Sequence, residues 1–237
     1  MAESNADKNK TVLGYWAIRA IAEPIRLILH YTKTPFTNKT YEVGDGPQYS
    51  RDQWLSEKFK LGLDFPNLPY LIDGEFQMTQ SRAILYYLGR KHNLMGTTPQ
   101  EEALVMMLCE EAHDVRAKFR ALCNKPNGGS GAEKKEFLET VLGVFFKQLD
   151  ALLSKQNRKF AVSDQPTVAD FLLYEYIDYC LSFDDEHKLL EQYPNVQRLL
   201  QQIQELPELK EYIATTHAQV PINIKSAKFG ATVIKQK

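Results

Sequence analysis

Thr11-Val-Leu-Gly-Tyr15 is a short apolar run, the pattern of a buried strand. Pro24 then stands where proline suits a helix start, and Ile25, Leu27, Ile28 and Leu29 follow on a helical pattern that fades before Pro35. Asn38 to Val43 reads as a second strand, and the turn residues of Gly44-Asp-Gly-Pro47 read as a loop. Arg51 to Lys60 predicts a short charged helix carrying one tryptophan. Leu68–Ile72 and Glu75–Met78 flank Asp73-Gly74 as a β-hairpin, and Gln80 to His92 predicts the next helix. A βαβ unit, a helix and then ββα is the thioredoxin-like arrangement.

After His92 the texture changes to helices with almost no strand signal. Thr98-Pro-Gln-Glu101 is a capping-box pattern with proline at the first helical position, opening a helix to about Cys123. Ser130-Gly-Ala-Glu133 opens a second helix to about Lys155. Thr167-Val-Ala-Asp170, with aspartate as the reciprocal partner, opens an apolar helix through Cys180. Pro194 and Pro207 each start a shorter helix. The expected organisation is a flexible tail over 1–10, an α/β thioredoxin-like domain over 11–92, a linker over 93–98, an all-α bundle over 99–224 and a tail over 225–237 that carries Lys225, Lys228, Lys235 and Lys237 and no acid.

Composition narrows the function classes. The 237 residues are 43% hydrophobic and 25% charged, the profile of an ordinary globular protein. A formal net charge of -1 argues against a general nucleic-acid binder. The longest apolar run, Ala103 to Cys109, falls far short of the ~20 residues a membrane span needs. The polar N-terminus lacks the apolar stretch of a signal peptide. Cys109, Cys123 and Cys180 have neither disulfide-framework nor zinc-site spacing and suit a reducing, cytoplasmic compartment. There is no Gly-rich phosphate loop, no His-x-x-x-His pair and no Gly-x-Ser-x-Gly elbow, so no metal or cofactor is expected.

The candidate chemistry gathers at element ends of the first domain. Tyr15 and Trp16 lie just past the first strand. Arg51, Trp54 and Lys58 fall at i, i+3 and i+7, two cations about an aromatic, as a carboxylate site would want; a solvated charged face fits the same spacing. Gln80 and Ser81 open a helix whose free amides attract anions, and simple capping by Ser81 fits equally. These ends could hold a small peptide-like ligand with a carboxylate at each end.

The same residues carry a resemblance. Gly14-Tyr-Trp-Ala-Ile-Arg19, Ala22-Glu-Pro-Ile-Arg26, the stretch Arg51 to Gly74 and Thr79-Gln-Ser81 resemble a cytosolic glutathione transferase of the mu class, over roughly residues 11–225. The loop Gly44–Pro47 resembles the insertion that marks that class. The resemblance implies the glutathione transferase fold and a homodimer, with glutathione as co-substrate and small electrophiles as partners. It implies Tyr15 as the catalytic hydroxyl. Trp16, Ile21, Arg51, Trp54 and Lys58 would hold the glycyl end of glutathione. Asn67 and Leu68 would meet its cysteinyl backbone, with Pro69 cis so that Leu68 presents its N–H and C=O outward. Gln80 and Ser81 would hold the γ-glutamyl end. Asp114 would reach glutathione bound to the partner copy, and Phe65 resembles an aromatic key at the dimer interface. Ile18, His113, Ala117, Arg120 and Asn124 would line the electrophile pocket.

The sequence departs from the class at three places. Asn124 stands where many members have a tyrosine that assists additions to epoxides and enones. Tyr86 stands where they commonly have an arginine near the dimer axis, and the tail lacks a tryptophan often found there. Arg120 and the tail lysines lead to an expectation of slower reaction with apolar aromatic electrophiles and better acceptance of anionic ones. The leading expectation is a detoxifying transferase. The alternative is a ligandin-like carrier of bulky apolar anions on the same fold.

Overall fold

The computed structural model describes residues 10–156, 158–185 and 188–233. The expected N-terminal tail, all but Lys10, and Lys235 and Lys237 of the expected C-terminal tail lie outside the described residues. Four strands form one sheet: β1 (Thr11–Trp16), β2 (Phe36–Tyr41), β3 (Tyr70–Asp73) and β4 (Phe76–Thr79), in the order β2-β1-β3-β4. β1 runs parallel to β2 and antiparallel to β3, and β3 and β4 form the hairpin. The crossover between β1 and β2 is α1 (Glu23–Tyr31), which buries Ile25, Leu27, Ile28 and Leu29. With α3 (Ser81–Lys91) it packs beside the sheet, the thioredoxin-like half of the fold.

The other half is helical. α4 (Pro99–Cys123) packs along α7 (Val168–Cys180), whose residues are buried all round except Asp178. α5 (Gly131–Phe137), α6 (Gly143–Gln156), α8 (Pro194–Gln204) and α9 (Lys210–Thr215) complete the bundle. A helix buried on every face belongs at the centre, and the apolar texture of α7 puts it there.

Several sequence expectations are corrected. The charged helix expected over Arg51–Lys60 is only α2 (Asp52–Leu55), followed by turns. Trp54 is its single buried anchor, while Leu55 and Phe59 are exposed, so nothing holds a second helical turn against the core. β2 begins and ends two residues earlier than expected. In the hairpin Asp73 is the last paired residue, opposite Phe76, and the loop is Gly74-Glu75. Gly74 takes a φ of 66° at the first loop position, where a type II′ turn wants glycine. Thr98 caps α4 by accepting from the Glu101 amide, but the Glu101 carboxylate reaches back to the amide and hydroxyl of Thr97 rather than closing the box on Thr98. The single helix expected from Ser130 to Lys155 is broken by a π-helical turn at Leu138–Leu142, where the Thr140 hydroxyl bonds the Glu136 carbonyl. Pro207 lies in a turn ahead of α9 rather than starting it.

The Ser130 box is complete, with Ser130 Oγ and Glu133 satisfying each other's amides. At the start of α7 the Asp170 carboxylate accepts from the Thr167 amide at 2.7 Å, the Thr167 hydroxyl at 2.8 Å and the Ala161 amide at 2.8 Å. Thr167 and Asp170 are both fully buried, so Asp170 ties the loop before α7 to its first turn without water. Burial pushes its carboxyl up to about 6 in spite of those donors. Asp170→Ala would strand three buried donors and should cost about 3 kcal/mol or more. Urea unfolding checks this. Asp170→Asn, which keeps an acceptor, should lose less, and an unchanged midpoint in the alanine variant would show the loop is held by other means.

Candidate active site

The C-terminal end of β1 delivers Tyr15 and Trp16, and pairing with β2 sets Tyr15 opposite Thr40. Gly14 is required there by packing. A Cβ at this position would sit 2.1 Å from the ring of Tyr70. That ring stacks on the Trp54 indole with centroids 6.0 Å apart, and Tyr41 meets the same indole edge-on at 5.4 Å. The Tyr41 hydroxyl lies 3.0 Å from that of Tyr70 and donates to Glu57 at 2.8 Å. Trp54 is thus seated by β1, β2 and β3 together. Tyr15, Ile18, Trp54 and Leu68 share one buried apolar cluster, with Trp16 and Ile21 at its edge.

Beyond β1 the chain makes a tight turn at Ala20–Ala22, with Ala20 at a φ of 38°. A non-glycine residue held there costs about 1–3 kcal/mol. The turn brings the Ile21 amide to the Tyr15 oxygen. It is held by Arg26, which donates to the Ile18 carbonyl at 2.9 Å, to Glu23 at 2.7 Å and to Asn38 at 3.1 Å. Burial is the strongest influence on the Tyr15 hydroxyl and raises it above the ordinary phenol value, against Arg116, Arg26, the Ile21 amide and Arg120, which all pull it down. A phenol so placed stays protonated at neutral pH and donates. The groups around it that favour negative charge are three cations and an amide.

Around this centre the other expected residues divide. The Leu68–Pro69 peptide bond is cis. The Leu68 N–H is taken by its neighbour, Asn67 Oδ1, at 2.9 Å, so it does not point free into the cleft, and Asn67 must turn aside before that amide can meet a peptide. Arg51 is exposed and precedes α2, and Lys58, half-buried, lies over Phe59 in the turns after it, so the three-residue helical face read from spacing does not form as one helix. Ser81 is the first residue of α3 rather than its cap. The capping position is Gln80, at a φ of 74°, and no side chain caps the helix. The α3 amides therefore remain open to an anion.

On α4, His113 is half-buried with Nδ1 unpartnered, and burial, Arg82 and Arg116 all lower its affinity for a proton. Ala117 and Arg120 are exposed. Asn124 is the C-cap and turns back to donate to the Arg120 carbonyl at 2.7 Å. It closes its own helix. Asp114 is exposed on α4, and Phe65 is 79% exposed. Sequence reading missed Arg116, Tyr176 and Tyr179. Two signals could have found them: Arg116 has no acid three or four residues away, and Tyr176 and Tyr179 lie in a helix whose residues are otherwise mostly apolar or acidic.

Comparisons agree with this geometry. The family model described as Glutathione S-transferase, N-terminal domain, matches residues 11–90, and that described as Glutathione S-transferase, C-terminal domain, matches residues 113–216. The chain is 42% identical over 219 residues to Glutathione S-transferase Mu 4 of Rattus norvegicus, covering 92% of this chain and 97% of that protein. It is 45% identical over 201 residues to Glutathione S-transferase Mu 2 of Rattus norvegicus, covering 85% and 89%. The solved glutathione S-transferase Blo t 8 superposes with a TM-score of 0.85 at 34% identity, over 92% of this chain and 99% of that one. The Pi-class glutathione S-transferase of Onchocerca volvulus gives a TM-score of 0.79 at 28% identity, over the same shares. The chain belongs to the glutathione S-transferase family, in its mu class.

Gly14→Ala would force the Tyr70 ring off Trp54. It should destabilise the protein by about 1–3 kcal/mol and shift the tryptophan fluorescence. Urea titration followed by emission measures both, and native emission with an unchanged midpoint would show that Tyr70 can retreat freely.

Proposed function

We propose that the protein conjugates glutathione to small electrophiles, with Tyr15 as the hydroxyl that holds the sulfur as its anion. The observation that carries this is the surroundings of Tyr15: a buried phenol, kept protonated, whose charged neighbours are cations. A thiol with a pKa of ~8.5 is about 3% thiolate at pH 7. A hydroxyl donated to sulfur favours the charged form, and each unit of lowering is ~1.4 kcal/mol of differential stabilisation. Cations nearby act in the same direction. The thiolate then attacks the electrophile. The chemistry needs neither metal nor redox cofactor.

In this reading residues 11–92 hold glutathione and 99–224 hold the electrophile, joined by the linker 93–98. Trp16, Ile21, Arg51, Trp54 and Lys58 receive the glycyl carboxylate end. Asn67 and Leu68 pair with the cysteinyl backbone, and Gln80 and Ser81 offer the open start of α3 to the γ-glutamyl end. Ile18, His113, Ala117 and Arg120 border the electrophile. The C-cap position of Asn124 argues against a direct part for it.

A cytoplasmic homodimer that detoxifies reactive compounds completes the proposal. Three buried free cysteines suit a reducing compartment. Phe65, Met106 and Met107 are large apolar side chains left exposed, as an interface would use. Asp114 would then serve the glutathione of the partner copy. Among the described residues no helix is long and apolar enough to cross a membrane. A pure carrier has no use for a hydroxyl aimed into its cleft.

Tyr15→Phe should lower kcat about 10–100-fold, the worth of a hydrogen bond to a charged group, with glutathione affinity nearly unchanged. The ultraviolet thiolate band of bound glutathione, titrated against pH, should move up by about 1–2 units in that variant; full rate and an unmoved band would overturn the assignment. Phe65→Ser should shift sedimentation at low concentration from dimer towards monomer, and an unchanged coefficient would remove Phe65 from the interface.

A further inference from the structure

Two arginines lie one turn apart on α4, in different settings. Arg120 is exposed, and Arg116 is half-buried. Its neighbours at three and four residues are Ala112, His113, Phe119 and Arg120, none acidic. Among the described residues Arg116 makes no ion pair and no hydrogen bond; its guanidinium lies over the Tyr176 ring, 5.5 Å from the centroid. The groups acting on it most strongly after burial are Tyr179, Tyr176, Tyr15 and Cys180, all neutral near pH 7. Carboxylates of the helix across from it are engaged elsewhere: Glu175 by Arg19 and His217, Asp178 by Arg19.

Beside this guanidinium is a second unfilled group. The Tyr179 ring stacks on Phe119 at 5.2 Å and packs against Tyr176 at 5.4 Å. Its hydroxyl is buried, with no hydrogen-bond partner among the described residues. A half-buried cation without an anion and a buried hydroxyl without a partner each carry a desolvation cost. One anionic group would relieve both, because a guanidinium fork matches two oxygens and the phenol donates a third bond.

We propose that Arg116 and the Tyr179 hydroxyl form a subsite for an anionic group, a carboxylate or sulfonate, carried by the electrophile. The proposal rests on the transferase reading and names its substrate class. It moves the expected basis for anion acceptance from the exposed Arg120 and the tail lysines to Arg116. Position supports the assignment. Arg116 is the cation that bears most strongly on Tyr15, so an anionic group held by it is bound on the helical side of the reacting hydroxyl. Charge balance supports it as well, since glutathione's own carboxylates are allotted to the sheet side of the cleft.

The test uses 4-chloro-3,5-dinitrobenzoate and its methyl ester, which differ in the charge on one substituent. In both, the glutathione thiol loses its proton to solvent, sulfur bonds to C4 and the C4–Cl bond breaks, chloride leaving with the electron pair. Nothing is oxidised or reduced. The acid-to-ester ratio of kcat/KM should fall about tenfold or more in Arg116→Gln and about threefold in Tyr179→Phe, and Arg116→Lys should recover part of it. A ratio that does not move in Arg116→Gln overturns the subsite. So does an equal fall in Arg120→Ala, which would mean diffuse surface charge. Turnover of neither compound by the unaltered protein would instead sink the transferase reading. If Arg116→Gln does not fold, the unaltered protein decides: 3,5-dinitrobenzoate should compete with the acid substrate at least tenfold more tightly than its methyl ester does, and equal inhibition overturns the proposal.

Discussion

Everything in the cleft depends on one buried ionic contact between the two halves. Arg19, three residues past the end of β1, donates to both oxygens of Glu175 at 3.0 and 2.9 Å and to Asp178 at 2.5 Å. His217 closes on the other side of Glu175 at 2.7 Å. Arg19, Glu175 and His217 are buried, so the contact is made where water cannot substitute for it. A pair of this kind need not add stability over an apolar replacement, but losing one partner leaves a charge stranded at a cost of about 3–5 kcal/mol. What it supplies is position. It fixes the turn that carries Ile18 and Ile21 against α7, and α7 lies along α4. Tyr15 and Arg116 come from different halves, and the contact holds those halves so that each bears on the other.

The electrostatic character of the cleft follows from the same arrangement. Arg19 and Arg26 sit on either side of the tight turn and both are fully paired, Arg19 with α7 and Arg26 with Glu23 and the Ile18 carbonyl. Among the described residues Arg116 and Arg120 are not. A paired cation lends only part of its field to its surroundings, whereas an unpaired one near a low-dielectric wall lends nearly all of it. The positive field at Tyr15 is therefore set mainly from the helical side, with burial acting against it to keep the phenol protonated. A donor that holds its own proton, beside cations that favour a neighbouring anion, is the combination that stabilises a thiolate without competing for its charge.

Much of this was legible in the residues. The strands, α1 and α3 announced themselves through apolar runs between turn residues. The Ser130 and Thr167 caps did so through spacing, because reciprocal capping depends on two side chains three residues apart. What was not legible depended on partners distant in sequence. The helix after Arg51 stops after one turn because only Trp54 finds a pocket, and that pocket is made by Tyr41 and Tyr70 from two strands. Glu101 leaves its box because Thr97 offers it two donors at once. The pocket residues that the resemblance implied on α4 included Asn124, which belongs to the helix end, and passed over Arg116. Its importance comes from what α7 lacks opposite it, and a single helix's periodicity cannot show that.

The C-terminal segment completes the enclosure, and its contacts show which forces close it. Ile224 packs against the cluster around Tyr15, and Pro221 accepts the Arg19 amide at 2.8 Å. Phe229 meets Phe183 at 4.8 Å and Phe119 at 6.3 Å, with Lys134 over its ring at 4.5 Å. Lys225 reaches Asp45 of the loop between β2 and α2 at 2.7 Å. That last pair looks like a latch, but both groups stand in water, and exposed pairs contribute little. The segment is held by its apolar residues and backbone bonds, with the ion pair marking where it meets the opposite loop. Because Phe119 stacks on Tyr179 as well as meeting Phe229, the wall that seats the segment is the same wall that holds the Tyr179 ring. Enclosure of the cleft and the polarity of its floor thus have a common origin in the aromatic packing between α4 and α7.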